Sequence, residues 1–119
     1  MSEIKTYRDL LVWQKSMSLV SEIYRFSKAF PSSEIYGLVS QLRRSAISIP
    51  SNIAEGYGRR STGDYKRFLQ IAVGSLFELQ TQIEIAYRLE YVDESNFNFL
   101  SEKTSELDRM LHSLINKIN

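Results

Sequence analysis

A bundle of four helices running up-down-up-down is the architecture this sequence predicts, and three features predict it. Apolar residues recur at steps of three and four in four separate stretches. Clusters of Pro, Gly, Ser and Asp interrupt the chain between those stretches. Only two prolines and five glycines occur among 119 residues, which leaves room for long helices. Apolar period identifies each helix, breakers mark its ends, and short connections make neighbouring helices antiparallel. The whole chain, residues 1–119, reads as one domain.

The first helix is predicted over residues 7–30. Leu10, Trp13, Met17, Val20 and Tyr24 form one line, with Leu19, Ile23, Phe26 and Phe30 beside it. Pro31 stops it, and Ser32 or Ser33 can cap the next helix. That second helix is predicted over residues 34–55, with Leu38, Leu42, Ala46, Ile49 and Ile53 as its apolar line. Pro50 lies inside it and has no N–H to give Ala46, so a kink near Pro50 is expected. Ser48 and Ser51 are placed to satisfy the freed backbone groups. Gly56, Gly58 and Gly63 mark the connection that follows, expected to use left-handed backbone. Ser61 or Thr62 caps a third helix over residues 62–91, carrying Tyr65, Leu69, Ala72, Leu76, Leu79, Ile83 and Ala86. Asp93 or Ser95 caps a fourth over residues 95–118, carrying Phe97, Leu100, Thr104, Leu107, Leu111, Leu114 and Ile118.

The second helix carries a further stripe. Gln41, Ser45, Ser48, Asn52 and Glu55 recur at the same helical steps. A solvated helix face usually carries Lys and Glu, whereas most of these are small hydrogen-bonding side chains suited to a packed face. The third helix has its own polar line, Ser75, Glu78 and Gln82. Folding the chain about Arg59 and Arg60 brings Arg44 and Ser45 level with Ser75, and Gln41 near Glu78. We therefore expect a polar seam of Arg44, Ser45, Ser48, Asn52, Glu55, Ser75 and Glu78. In it Arg44 or Arg43 pairs with Glu78, and the small side chains bond across. Such a seam adds little net stability but fixes register.

Composition removes several chemistries. There is no cysteine, hence no disulfide, thiolate metal site or Cys nucleophile. His112 is the sole histidine, so the paired Glu-x-x-His ligands of a di-iron bundle are missing. The spacing of Arg109 and His112 does not match a helical ribonuclease pair. No strand precedes Gly56-x-Gly58 and no Gly-Lys-Ser follows it, so it is not a phosphate loop. No enzyme activity, metal or cofactor is expected. The N-terminus lacks the pattern of a secretion signal and no apolar run is long enough to cross a bilayer, so a cytoplasmic protein without membrane contact is expected.

Charge is unevenly spread. Residues 37–67 carry six basic and two acidic side chains, whereas residues 68–119 carry four basic and eight acidic. Within the basic part Tyr57, Arg59, Arg60, Lys66 and Arg67 mix phosphate-binding cations with an aromatic ring. Together with Arg43 they form the candidate contact for RNA or DNA. A second expectation concerns the first helix: Trp13, Tyr24, Phe26 and Phe30 cannot all face one thin core, so they are candidates for contacts with sister copies. A homo-oligomer would also gather several basic loops. The rival reading is an assembly scaffold or protein-interaction module that binds no nucleic acid.

The segments DLLVWQ, QLRRSAISIPSNIAEGYGR and FLQIAVGSLFELQTQI resemble the four-helix-bundle proteins associated with 23S rRNA intervening sequences. The resemblance covers nearly the whole chain. It implies a bacterial cytoplasmic protein, a left-handed bundle and a homopentameric ring. The family motif falls on Arg43, Arg44, Ser48, Asn52, Glu55, Gly56, Ser75 and Glu78. The chain is also similar to the accessory proteins of diversity-generating retroelements, a resemblance that implies nucleic-acid binding through a basic surface. No catalytic residues come with either resemblance.

Overall fold

A computed structural model describes residues 3–118. It contains four long helices and, among the described residues, no strand: α1 Leu11–Ser27, α2 Leu38–Tyr57, α3 Thr62–Arg88 and α4 Glu94–Lys117. Single 3-10 turns at Tyr7–Asp9 and Ser32–Glu34 precede α1 and α2.

Where the helices start and stop differs from the sequence prediction for identifiable reasons. Thr6 and Asp9 form a capping box that closes Tyr7–Asp9 as its own turn. Asp9 Oδ2 accepts the backbone N–H groups of Lys5 and Thr6, which holds its carboxyl below the usual aspartate range. Leu10 is then extended (φ −73°, ψ 124°), so α1 begins at Leu11. It ends at Ser27, and Phe30 tucks into the core from the following turn.

Neither Ser32 nor Ser33 caps α2. Glu34 does so through Oε1, which accepts the Leu38 N–H at 3.2 Å. Its other oxygen accepts the Tyr91 hydroxyl at 3.0 Å, and this bond holds the Tyr91 phenol above its usual value. Ser61 caps α3 by accepting the Asp64 N–H, and Asp93 caps α4 by accepting that of Asn96. At the end of α3 the Tyr91 N–H reaches Ala86 O and the Glu90 N–H reaches Tyr87 O. This closure places Glu90 at φ 64°, where glycine is the common residue.

α2 packs on α1 and α3, and α4 packs on α3 and α1. Among the described residues, α1 and α3 do not approach within 8 Å at Cα, nor do α2 and α4. Ser45 meets Gln82 and Ser48 meets Ser75, so α2 and α3 run antiparallel. Lys15 meets Glu106 and Phe26 meets Phe99, so α1 and α4 do too. The core between them is aliphatic, with Ile49, Ile53, Leu69, Leu76, Leu79, Leu100, Leu107 and Leu111 fully buried. Buried Ser16 and Thr104 return their hydroxyls to carbonyls three residues back, which satisfies them locally. α2 is helical on both sides of Pro50, which is itself buried.

Candidate nucleic-acid interface

The basic loop joins α2 to α3 beside a close approach of the two helices at Gly56. A Cβ built on Gly56 would sit 2.7 Å from Phe68 Cβ and 3.2 Å from the Tyr65 ring, so only glycine lets the two backbones meet there. The expected left-handed glycines are not used: no glycine in the described residues has positive φ. Gly58 continues the helical backbone (φ −80°, ψ −2°), its N–H reaching Ala54 O and that of Arg59 reaching Gly56 O. A tightened last turn closes the loop, which leaves left-handed backbone unnecessary.

Close approach organises the loop's rings and cations. Phe68 is 8% exposed, and two guanidinium groups lie on it, Arg59 at 4.6 Å and Arg67 at 5.2 Å from its centroid. Each also faces an acid one turn away, Glu55 at 3.7 Å and Asp64 at 3.9 Å. These pairs are exposed and long, and hold their arginines weakly. Arg60 is exposed and Lys66 half-buried, and neither has an ion-pair partner within 4.0 Å among the described residues. Tyr57 stands edge-on to Tyr65 at 6.1 Å and 90°. Burial, then the neighbouring Tyr57, holds the Tyr65 phenol above its usual value.

Arg43 does not join this cluster. It lies fifteen residues before Gly58 on one helix, about 22 Å away at 1.5 Å per residue. Its guanidinium covers Tyr24 at 4.4 Å, donates to Ser27 Oγ at 2.9 Å and reaches Tyr24 O at 3.4 Å. Arg43 therefore ties α2 to α1.

The seam residues separate into two groups. Ser45 Oγ is 2.7 Å from Gln82 Oε1, and Ser48 Oγ is 2.8 Å from Ser75 Oγ. Asn52, expected to bond across, instead donates through Nδ2 to the carbonyl and hydroxyl of Ser48 on its own helix. Ser48 thus turns toward α3 instead of mending the backbone around Pro50. The expected ion pair does not form within the chain: Arg44 and Glu78 are both exposed, and neither lies within 4.0 Å of an opposite charge among the described residues. They sit on the outer sides of their helices while the small side chains fill the valley between. Glu55 faces Arg59, outside the seam.

The aromatic residues of α1 are largely taken up by the chain itself. Trp13 is half-buried, edge-on to Tyr7 at 5.3 Å and beneath Arg8. Tyr24 lies under Arg43, and Phe26 packs against Phe99 at 6.1 Å. Phe30 belongs to the core against Tyr91 at 5.4 Å, which corrects its expected place at a subunit contact. Large apolar side chains stand exposed instead on the outer surface of α2 and α3: Ile47, Ile71, Phe77 and Ile85.

Phe68 is the residue sequence reasoning missed. It falls beside the apolar line of α3, and its ring matters only because Gly56 lies opposite. The signal available was the basic residue on either side of the turn, Arg59 and Arg67, with a ring adjacent to the second. Elsewhere His112 Nδ1 lies 2.8 Å from Asp108 Oδ1 on the exposed side of α4, an i,i+4 pair within one helix. No group of three or more His, Asp or Glu among the described residues is arranged to hold a metal ion. No helix in them is long and apolar enough to cross a membrane.

Known proteins resemble this chain at two levels. No curated protein matches it. Its backbone is similar to the crystal structure of a protein of unknown function from the S23 ribosomal protein family of Bacteroides thetaiotaomicron, with a TM-score of 0.82 and 24% identity. That match covers 89% of this chain and 96% of the other. At that identity the likeness speaks for the fold. The family model described as 23S rRNA-intervening sequence protein matches residues 8–113, and the chain belongs to that family.

Proposed function

We propose that this protein is a non-enzymatic, cytoplasmic, homo-oligomeric helical bundle that binds RNA or another nucleic acid at the α2–α3 loop. The observation that carries the reading is the grouping of Arg59, Arg60, Lys66 and Arg67 around one turn, with Arg60 and Lys66 free of ion pairs among the described residues. Family membership supports it, because the family takes its description from an intervening sequence of ribosomal RNA. We also propose kinship with retroelement accessory proteins, which would give the loop's basic surface the same role. The proposed bundle is up-down-up-down and left-handed, bent near Pro50, with five copies in a ring that gathers the loops. Changing Arg59, Arg60, Lys66 and Arg67 together to Ala lowers RNA retention roughly tenfold or more at low salt. Retention unchanged in a folded variant rules the loop out.

A second reading, an assembly scaffold without nucleic acid, is favoured by the outer surface of α2 and α3. Exposed Ile47, Ile71, Phe77 and Ile85, with Arg44 and Glu78 unpaired in the same region, suit contact with another copy better than the covered ring of Phe30 does. Sedimentation separates the cases. Ile47→Ser with Ile85→Ser shifts the protein toward monomer, and a monomeric parent at micromolar concentration removes the oligomer from both readings.

A further inference from the structure

We infer that the α2–α3 loop grips the phosphate backbone of double-helical RNA and does not stack bases on its rings, an inference that rests on the nucleic-acid reading above. Single-strand binders present an aromatic face on which a base can lie. All three rings of this loop are committed elsewhere. Phe68 is 8% exposed and carries both Arg59 and Arg67. Tyr65 is half-buried, and Tyr57 stands perpendicular to it at 6.1 Å. A base stacking on Phe68 would displace a guanidinium, and the ring face used in the perpendicular Tyr57–Tyr65 contact is closed to one.

The same packing suits phosphates. Arg59 and Arg67 lie 4.6 Å and 5.2 Å from one centroid, so their guanidinium carbons are within about 10 Å of each other. Stacking uses the guanidinium face and leaves its N–H edge available to an anion. Glu55 and Asp64 stand beyond hydrogen-bond distance from them, at 3.7 Å and 3.9 Å, and a phosphate can replace either. Exposed Arg60 adds a third cation beside the pair. With most of the ring surface already in use, charge density along the ligand decides affinity. A duplex carries two phosphate strands along one axis and so presents about twice the charge per unit length of one of its strands. The loop therefore prefers the duplex and is indifferent to base identity.

Fluorescence anisotropy with the full-length protein tests this, using an RNA duplex of about 20 base pairs and oligo(U) and oligo(A) strands of equal length, across a salt series. The duplex binds roughly tenfold more tightly than either strand, and the two strands differ by less than about threefold. Arg59→Ala with Arg67→Ala lowers the log–log salt slope for the duplex by about two, with the helical circular dichroism unchanged. A strand bound as tightly as the duplex, a strong preference between the homopolymers, or an unaltered salt slope in the folded double variant overturns the inference while leaving nucleic-acid binding intact. Failure of the parent protein to bind either form overturns it together with the reading on which it rests.

Discussion

The α2–α3 and α1–α4 contacts join neighbouring antiparallel helices, but they are made of different side chains and reach different closeness. Between α2 and α3, Gly56, Ser45, Ser48 and Ser75 let the backbones approach, and hydroxyls and an amide bridge them. Between α1 and α4, long side chains stand in the gap. Lys15 pairs with Glu106 at 3.2 Å with both partly exposed, beside a groove of about 420 Å³ lined by Leu11, Ser18, Phe99 and Lys103. Small side chains make closeness possible, and closeness removes water, so hydrogen bonds there matter more than ion pairs do in an open groove. The closeness also shapes the basic loop that joins α2 to α3. The close approach at Gly56 brings Phe68 beneath the arginines.

The largest effect comes from removing that closeness. Gly56→Ala puts a methyl group 2.7 Å from Phe68 Cβ, so the helices must part, at a cost of about 1–3 kcal/mol despite alanine's better helix propensity. Gly74 on the outside of α3 is the control, because an added Cβ meets nothing within 4 Å. Gly74→Ala therefore stabilises by about 0.5–1 kcal/mol. Urea unfolding of both variants measures the contrast. Equal shifts at the two glycines would mean that α2 and α3 can separate freely.

Next comes the seam. Ser45→Ala leaves the 6%-exposed Gln82 without its closest partner and costs about 1–2 kcal/mol. Adding Gln82→Leu removes the stranded amide, and the double variant recovers most of that loss. Additive losses would show that the bond carries no coupling.

Much of this fold was legible in the sequence because apolar period reports the buried face of each helix directly. The four helices came from that period, and the caps Ser61 and Asp93 were each one of two candidates placed ahead of the apolar runs. Side-chain choice among nearby partners was less legible. Levelling α2 against α3 foresaw small polar side chains meeting across the seam but set their register about a turn off: Ser48, not Ser45, meets Ser75, and Ser45 and Gln41 meet Gln82 in place of Ser75 and Glu78. It did not fix how far around each helix Arg44 and Glu78 point, and both point outward. Long side chains also choose among neighbours that the sequence does not rank, as Arg43 did with Tyr24 and Ser27. The start of α1 was hidden by a competing local motif, the Thr6–Asp9 capping box, which is as short-ranged as the helix signal it displaced. For the candidate interface, its cations were legible and its ring was not, since Phe68 gains its role only from the glycine opposite.

On the α1–α4 side the same serine-to-alanine change has the opposite sign. Ser18 is exposed in the groove, and among the described residues none of the side-chain hydrogen bonds involves it. Ser18→Ala therefore adds helix propensity and strands nothing, for a gain of about 0.3–0.5 kcal/mol. A loss as large as that at Ser45 would show that the groove is as dry and committed as the seam.

The smallest effect should be the ion pair itself. Lys15 and Glu106 lie 3.2 Å apart with side chains 39% and 38% exposed, so water screens them and two flexible chains must be ordered to meet. A double-mutant cycle on Lys15→Met and Glu106→Gln should return a coupling of no more than about 0.5 kcal/mol, shrinking further in 1 M salt. A coupling well above that, insensitive to salt, would mean that the groove excludes water after all. The difference between the two contacts would then lie in the shape of their side chains and not in how wet each contact is.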